Sequence, residues 1–215
     1  LFLEKLIKEG YEIEAYAKEL FPEILGLSEG QSALYTLGML ETSHKLFFQP
    51  TFSIKKGAFA IIDVLEKLDD GSFHLYEIKS TTKIKKDKDH NHLNDVCFQK
   101  YVIQEAGFNV SKVSIIILNK EFVKKGEIDP IELLKIIDVS DEVEKMYSGV
   151  VNEINAAINF INKESINTKE CSCKFKTRSN HCDVFEYFNP NVPEYSIYQI
   201  RLIREKKIIA LVNDQ

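Results

Sequence analysis

The chain has 215 residues, enough for one sizeable hydrophobic core but short for two full domains. Its composition, 44% hydrophobic and 28% charged, is that of a globular protein, and no apolar run is long enough to cross a bilayer. The net charge of -5 argues against a protein that coats nucleic acid by bulk charge, but it allows an enzyme with a local basic groove. Without a secretory signal, the expected location is the cytoplasm, with no membrane partner.

The N-terminal part of the chain is predicted to be mainly helical. Apolar residues recur at helical spacing through the first twenty residues, and Pro22 ends this segment. A second helix is predicted from about Glu29 to Lys45. The stretch from Gln49 to Ser53 is then predicted to be extended.

The middle of the chain has the pattern of an α/β domain. Two β-rich segments, Ala58 to Lys67 and Phe73 to Ser80, flank the turn Asp69-Asp70-Gly71, which predicts a hairpin. A helix is predicted from about Leu93 to Ala106, and the apolar run Val113 to Leu118 predicts a strand buried on both faces. We therefore expect a central sheet flanked by helices.

The remaining third of the chain is predicted to hold a helix, a cysteine-containing segment and a terminal segment. Ser140 to Lys163 is a long amphipathic helix with one apolar stripe. Tyr195 to Val212 is either a terminal hairpin or the start of an appended domain. The predicted divisions are a core with flanking helices (1–165), the cysteine-containing segment (166–190) and the terminal segment (191–215).

Two carboxylates and a lysine are predicted to lie on one wall of the sheet. Glu77 and Lys79 flank Ile78, and residues two apart on a strand share a face. The hairpin can place Asp63, at the end of the preceding segment, beside them. Paired carboxylates suit Mg²⁺ or Mn²⁺, and such a metal with a nearby lysine can hydrolyse phosphodiesters. The alternative is an exposed strand face with a salt bridge.

Two helices carry polar residues that could reach this wall. Asp95 and Gln99 lie one turn apart on the helix from Leu93. Gln99 falls in the apolar stripe, where it either acts at the site or satisfies a buried backbone group. Glu41 and His44 share a stripe on the earlier helix and are candidates to approach the metal, although a helix end in solvent is the alternative for His44.

The loop that follows the second predicted strand is rich in lysine. Lys83, Lys85 and Lys86 are candidates to track the phosphates of a nucleic acid entering the site. Asp87 reduces the net positive charge of the loop. The alternative to a nucleic-acid-binding loop is an ordinary solvent-exposed one.

These motifs resemble the RecB-like branch of the PD-(D/E)XK nucleases. The resemblance rests on Ile62-Asp63, then Glu77-Ile78-Lys79, then a helix with Gln99 and Tyr101. The stretch from Gly10 to Cys182 is most similar to an uncharacterised bacterial family, in which a RecB-like nuclease domain is fused to a C-terminal domain of unknown function.

The resemblance implies a restriction-endonuclease-like core with a central mixed β-sheet. It also implies that Asp63, Glu77 and the Ile78 carbonyl bind the metal, and that Lys79 and Gln99 act with the two carboxylates in catalysis. The expected activity is that of a Mg²⁺- or Mn²⁺-dependent exonuclease acting on single-stranded or ended DNA. A non-catalytic nucleic-acid-binding module that retains the fold is the alternative.

Members of this branch often carry a further site residue on an early helix. That residue is a histidine in many of them. In this sequence Glu14, Glu41 and His44 are the candidates to stand in its place.

Three of the four cysteines crowd into a dozen residues near the C-terminal end. Cys171, Cys173 and Cys182 resemble the three late cysteines that help to hold an iron–sulfur cluster in some members of the branch. His181 could instead complete a Cys₃His site for Zn²⁺. Free, reduced thiols are the third alternative.

Overall fold

The computed structural model describes residues 2–27, 32–87, 90–163, 165 and 171–214. The chain divides into two compact units, residues 1–161 and 162–215. The helices of the first unit are α1 (Phe2–Glu19), α2 (Ala33–Leu40), α3 (His92–Glu105), α4 (Pro130–Leu133) and α5 (Ser140–Ile161). Its strands are β1 (Leu25–Gly26), β2 (Leu46–Phe48), β3 (Thr51–Ser53), β4 (Phe59–Ile61), β5 (Val64–Lys67), β6 (Phe73–Lys79), β7 (Val110–Leu118) and β8 (Leu134–Asp138).

Six of these strands form a mixed sheet in the order β1-β2-β5-β6-β7-β8. The pairs β1–β2 and β6–β7 are parallel and the other pairs are antiparallel. Strands β3 and β4 form a separate antiparallel pair. The predicted α/β fold with a central mixed sheet flanked by helices is therefore confirmed.

The two faces of the central sheet pack against different helices. Leu75 and Ile115 belong to a core shared with α3 and α5, whereas Tyr76 and Ile116 belong to a core shared with α1 and α4. Since neighbouring residues on a strand point to opposite faces, helices on both sides require an unbroken apolar strand. This is the physical reason for the apolar run in β7, which was predicted to be buried on both faces.

The predicted hairpin is formed by β5 and β6, with Val64 opposite Tyr76. Its turn depends on Gly71, which has a φ of 81° that other residues rarely adopt. The Asp70 carboxylate accepts hydrogen bonds from the Ser72 backbone N–H at 2.9 Å and from the Ser72 hydroxyl at 2.6 Å. Local side-chain chemistry thus closes the turn that sets the register of the hairpin.

The segment from Ala58 to Lys67, predicted as one strand, is divided between two sheets. It breaks at Ile62 and Asp63, so that β4 belongs to the small sheet and β5 to the central sheet. The segment that pairs with it is interrupted at the facing residues, between β2 and β3. Pro50 has no N–H to donate, and Gln49 adopts a φ of 56°. Hydrogen bonds of 3.0 Å from Gln49 N–H to the Asp63 carbonyl and from Ile62 N–H to the Pro50 carbonyl hold the two bends together.

Helix α2 is shorter than predicted. The predicted start near Glu29 lies outside the described residues, and the helix ends at Leu40 rather than Lys45. Ser32 caps it by accepting a hydrogen bond of 3.2 Å from the Tyr35 backbone N–H.

The second unit is built from short helices around a small core. It contains α6 (Phe185–Phe188), α7 (Glu205–Asn213) and three 3₁₀ helices (Ser172–Phe175, Arg178–Asn180 and Ile197–Gln199). The predicted terminal hairpin is wrong, because Tyr195 to Val212 contains the last 3₁₀ helix and most of α7. Ile208 packs against Phe185 and Tyr198, and Val212 follows it at helical spacing, so helix formation buries Ile208 fully and Val212 in part. The alternative of an appended domain stays a prediction.

Candidate active site

Glu77 and Lys79 point to the same face of β6, toward α3, as the two-residue period of a strand requires. The Lys79 ammonium lies 2.7 Å from Glu77 Oε1, and only 6% of Glu77 is exposed. A carboxylate this deeply buried requires a charged or hydrogen-bonding partner. The alternative of an exposed strand face is therefore wrong for this pair.

Asp63 immediately precedes β5. It lies beside the last residues of β6, which extend beyond the pairing of the two strands. Its Oδ2 accepts a hydrogen bond of 2.6 Å from the Ile78 backbone N–H, in the place of a strand partner. The N–H and C=O of a strand residue point to the same side, so the Ile78 carbonyl faces this end of the sheet as well. The Asp63 carboxylate is thus bound to the main chain of β6 at the residue between Glu77 and Lys79.

The pKa of the Asp63 carboxyl is held well above its usual range. Burial is the main cause, and the negative charges of Glu77 and Glu14 add to it. The hydrogen bond from Ile78 and the charge of Lys79 act in the opposite direction but do not compensate. Crowded, buried carboxylates of this kind favour the uptake of a proton or a metal cation.

Helix α3 supplies two side chains to the cluster from adjacent turns. Asp95 Oδ2 lies 3.0 Å from the Lys79 ammonium, and Gln99 Nε2 donates a hydrogen bond of 2.6 Å to Glu77 Oε2. Gln99 thus contacts a carboxylate of the cluster. Its Oε1 is buried without a hydrogen-bond partner among the described residues. An unsatisfied acceptor at this point fits a site that receives a further group.

The Lys79 ammonium is held between two carboxylates. Burial alone would lower its pKa, but the attraction and hydrogen bonds of Glu77 and Asp95 outweigh burial, so that the pKa lies above its usual value. Lys79 therefore remains protonated at neutral pH.

An open cleft of about 390 Å³ leads to these groups. Its polar lining includes Glu77, Lys79 and Asp95, and its apolar lining includes Ile61 and Phe98. A smaller hollow of about 220 Å³ adjoins Lys79 and Asp95 on the side of the lysine-rich loop. Lys79 lines both openings, so a substrate in either opening can reach its side chain.

Of the three early-helix candidates, the structure brings Glu14 to the cluster. Glu14 lies on α1, and its charge contributes to the raised pKa of Asp63. It also accepts a hydrogen bond of 3.4 Å from the amide of Gln49, at the bend that precedes β3. A third carboxylate is thus near enough to Asp63 to influence its pKa.

Glu41 and His44 do not reach the cluster. Glu41 is the exposed C-cap of α2, and the His44 imidazole lies 3.0 Å from the hydroxyl of Thr42. The next residue, Lys45, pairs with Asp69 in the hairpin turn, at the opposite end of β5 from the site. The predicted helical stripe that would carry both side chains is wrong, because α2 ends at Leu40 and His44 lies beyond the helix.

The lysine-rich loop lies partly against the site. Lys85 lines the smaller hollow, whereas Lys83 is exposed and Lys86 lies 3.9 Å from Glu142 on α5. Residues 88 and 89 lie outside the described residues. A role of these lysines in nucleic-acid binding stays a prediction.

His92 is a site residue that the sequence patterns missed. It is buried at the start of α3, and its Nδ1 accepts a hydrogen bond of 3.3 Å from the Lys85 backbone N–H. Burial first, and then the charge of Lys79, lowers its pKa, so the ring is neutral at neutral pH. The available signal was its position three residues before Asp95, on the same helix face.

The second unit holds a separate cluster of thiols. The Sγ atoms of Cys171, Cys173 and Cys182 lie within 4.8 Å of one another and could hold a metal ion. A hydrogen bond between Cys182 and Cys173 raises the pKa of Cys182 to about 11 and lowers that of Cys173. The hydrogen bond thus favours the thiolate of Cys173, and the thiolate is the form that binds a metal.

His181 does not complete this cluster. Its ring stacks on Phe185 with centroids 3.6 Å apart, and its Nε2 lies 3.2 Å from the Lys176 carbonyl. It is absent from the group of ligands within 4.8 Å, although it precedes Cys182 in the chain. The predicted Cys₃His set is therefore reduced to three cysteines among the described residues.

No helix in the described ranges combines the length and the apolar character needed to span a membrane. No protein-family model matches the chain, and no curated protein matches it. The chemistry of this chain is therefore inferred from its motifs and from the geometry of its two clusters.

Proposed function

We propose that the chain is a metal-dependent nuclease of the PD-(D/E)XK type, which hydrolyses phosphodiester bonds of DNA. The observation that carries this proposal is the position of Lys79, held 2.7 Å from Glu77 and 3.0 Å from Asp95 while Asp63 lies beside Glu77. An ordinary salt bridge needs one carboxylate, whereas this lysine lies among several at the end of an open cleft. Such an excess of acidic groups fits a site that binds a cation.

The donor set fits Mg²⁺ or Mn²⁺. Asp63 and Glu77 offer carboxylate oxygens, the Ile78 carbonyl faces the same end of the sheet, and Glu14 is close to Asp63. Hard cations of this class prefer such oxygen ligands over nitrogen or sulfur. When bound, the metal would polarise the phosphodiester and lower the pKa of a water ligand.

The residues of the chain have separate roles in this proposal. Lys79, as a permanent cation, neutralises the negative charge that develops on the phosphate in the transition state. Asp95 and Gln99 position Lys79 and Glu77 through the contacts described above. Without a metal the carboxylates outnumber the single ammonium and repel a polyanion, so the proposal requires metal-dependent cleavage.

The test is a cleavage assay with the whole chain on end-labelled single-stranded and duplex DNA. We expect cleavage with Mn²⁺ or Mg²⁺, none with EDTA, and none in the Glu77→Gln variant. Glu132→Gln, in α4, is the control and should cleave as the wild type does. Metal-independent cleavage, or cleavage that survives Glu77→Gln, would contradict the proposal. Binding of DNA without cleavage by any divalent metal would favour the non-catalytic module.

We also propose that the thiol cluster holds a single Zn²⁺ rather than an iron–sulfur cluster. The Cys171 and Cys182 sulfurs lie 3.5 Å apart. Two thiolates on one tetrahedral zinc are separated by about 3.8 Å, given Zn–S bonds of about 2.3 Å. The described residues place three cysteines here, so a fourth ligand from outside this group would complete the tetrahedral zinc.

The packing of the second unit supports a structural role for such an ion. Its buried core consists of Phe185, Tyr198 and Ile208, and the side chains of Cys173 and Cys182 pack against it. Units with so little buried apolar surface commonly depend on a metal or disulfide for stability. This ion would therefore stabilise the second unit and take no part in phosphodiester hydrolysis.

A further inference from the structure

We propose that an apolar strip formed by Phe59, Ile61 and Phe98 stacks against the bases of a single DNA strand, whose backbone is held at Lys79 and the carboxylates. The inference rests on the proposed nuclease function and adds the part of the substrate that the protein recognises. It follows that the enzyme acts on an unpaired segment, because paired bases are stacked inside a duplex and do not present their faces.

The strip begins on β4, whose outward face is apolar where an exposed strand would ordinarily be polar. Phe59 is 56% exposed and Ile61 is 45% exposed, whereas Ala60 between them is buried. Residues two apart on a strand share a face, so the two side chains stand next to each other on the surface. Leaving both in water costs free energy that contact with an apolar partner would recover.

The strip continues across the cleft to α3. Ile61 and Phe98 both line the cleft that ends at Lys79, together with the amides of Asn94 and Gln99. Asn94 and Phe98 lie four residues apart on the helix and therefore face the same way. The lining of the cleft thus combines apolar side chains and amides with the charged groups of Glu77, Lys79 and Asp95.

This division matches the chemistry of one nucleotide strand. The phosphate requires the metal and the ammonium, while the adjacent base offers an apolar face and polar edges. Proteins that bind single strands combine a site for the backbone with side chains on which bases stack, and this stacking tolerates any base sequence. An extended peptide could also use an apolar wall, but it would not supply the phosphate that the proposed metal site requires.

The test compares two substrates, a single-stranded oligonucleotide and an identical strand with abasic analogues throughout its length. For Phe59→Ala, Ile61→Thr and Phe98→Leu, we expect kcat/KM on the normal strand to fall about tenfold each, and kcat/KM on the abasic strand to be unchanged. Leu at position 98 retains apolar packing without the ring. The matched control is Ile136→Thr, a strand residue of β8 that is 50% exposed and away from the cleft; this variant should behave as the wild type on both strands.

The outcomes separate the inference from the proposed function. In one outcome the wild type cleaves, while kcat/KM of the three variants falls equally on both strands or does not fall at all. That result would refute the stacking surface and leave the proposed nuclease function standing. If the wild type prefers duplex ends over the single strand, the stacking surface is likewise refuted. If the wild type cleaves neither strand with Mn²⁺ or Mg²⁺, the proposed function fails and this inference with it.

Discussion

The Asp63 carboxylate accepts a hydrogen bond of 2.6 Å from the Ile78 backbone N–H, at the point where β6 extends beyond its pairing with β5. A side chain thus occupies the place of a strand neighbour. This hydrogen bond holds one oxygen of the Asp63 carboxylate against the main chain of β6. The same strand carries Glu77 and Lys79. The three functional groups therefore share one rigid support, as a metal site of defined geometry requires.

Replacing either carboxylate should abolish tight metal binding. Asp63→Asn keeps an acceptor for the Ile78 N–H but removes the charge, so we expect the fold to persist and Mn²⁺ affinity to fall by about a hundredfold. Glu77→Gln should behave similarly. Isothermal titration calorimetry with Mn²⁺ measures both, with Glu41→Gln as the control because that carboxylate lies away from the site. Unchanged Mn²⁺ affinity in Asp63→Asn would contradict the proposed ligand set.

Lys79→Met should separate binding from chemistry. Methionine keeps the apolar stem but removes the cation that neutralises charge on the phosphate, so we expect the cleavage rate to fall by about 10²–10³. Mn²⁺ binding should persist, because the carboxylates remain. The rate is measured with saturating Mn²⁺, and Lys145→Met on the exposed surface of α5 serves as the control. A variant that cleaves at the wild-type rate would remove Lys79 from the mechanism.

The raised pKa of Asp63 predicts how stability depends on pH. An unfolded aspartate has a pKa of about 3.9, and the folded value lies well above it. Between the two values the folded state binds more protons than the unfolded state, so the free energy of unfolding decreases as pH rises through this window. Above the pKa of Asp63 in the folded state, its contribution to the free energy of unfolding is lost completely.

Thermal unfolding of the metal-free protein, followed from about pH 5 to about pH 8, measures this effect. We expect Asp63→Asn to show a smaller decrease in Tm than the wild type. Mn²⁺ should raise the wild-type Tm more as the pH rises, because a carboxylate must lose its proton to bind the metal. A wild-type Tm that falls no more than that of Asp63→Asn would show that Asp63 is ionised throughout.

Elemental analysis should find zinc in the purified chain. We expect about one zinc per chain, its loss in Cys173→Ser, and lower resistance of residues 171–214 to proteolysis in that variant. Cys97→Ser is the control, since Cys97 is a buried residue of α3 in the first unit. Stoichiometric iron with a brown absorbance would identify an iron–sulfur cluster instead. A disulfide between Cys171 and Cys182 would exclude any metal there.

The sequence by itself determined the parts of the site that depend on local periodicity. Glu77 and Lys79 share a face because the strand period is two, and the apolar run of β7 implied a sheet covered on both sides. The hairpin followed from Asp69-Asp70-Gly71, whose turn chemistry is complete within a few residues. Asp95 and Gln99 were likewise grouped by the helical period alone.

Only the tertiary structure decided which elements meet at the site. Helical spacing predicted a stripe that carries Glu41 and His44, but α2 ends at Leu40, before the chain turns into β2. Glu14 approaches Asp63 because α1 packs across β6. The bend that positions Asp63 depends on Pro50, thirteen residues earlier in the chain. Such choices are set by long-range packing, which leaves no periodic signal in the sequence.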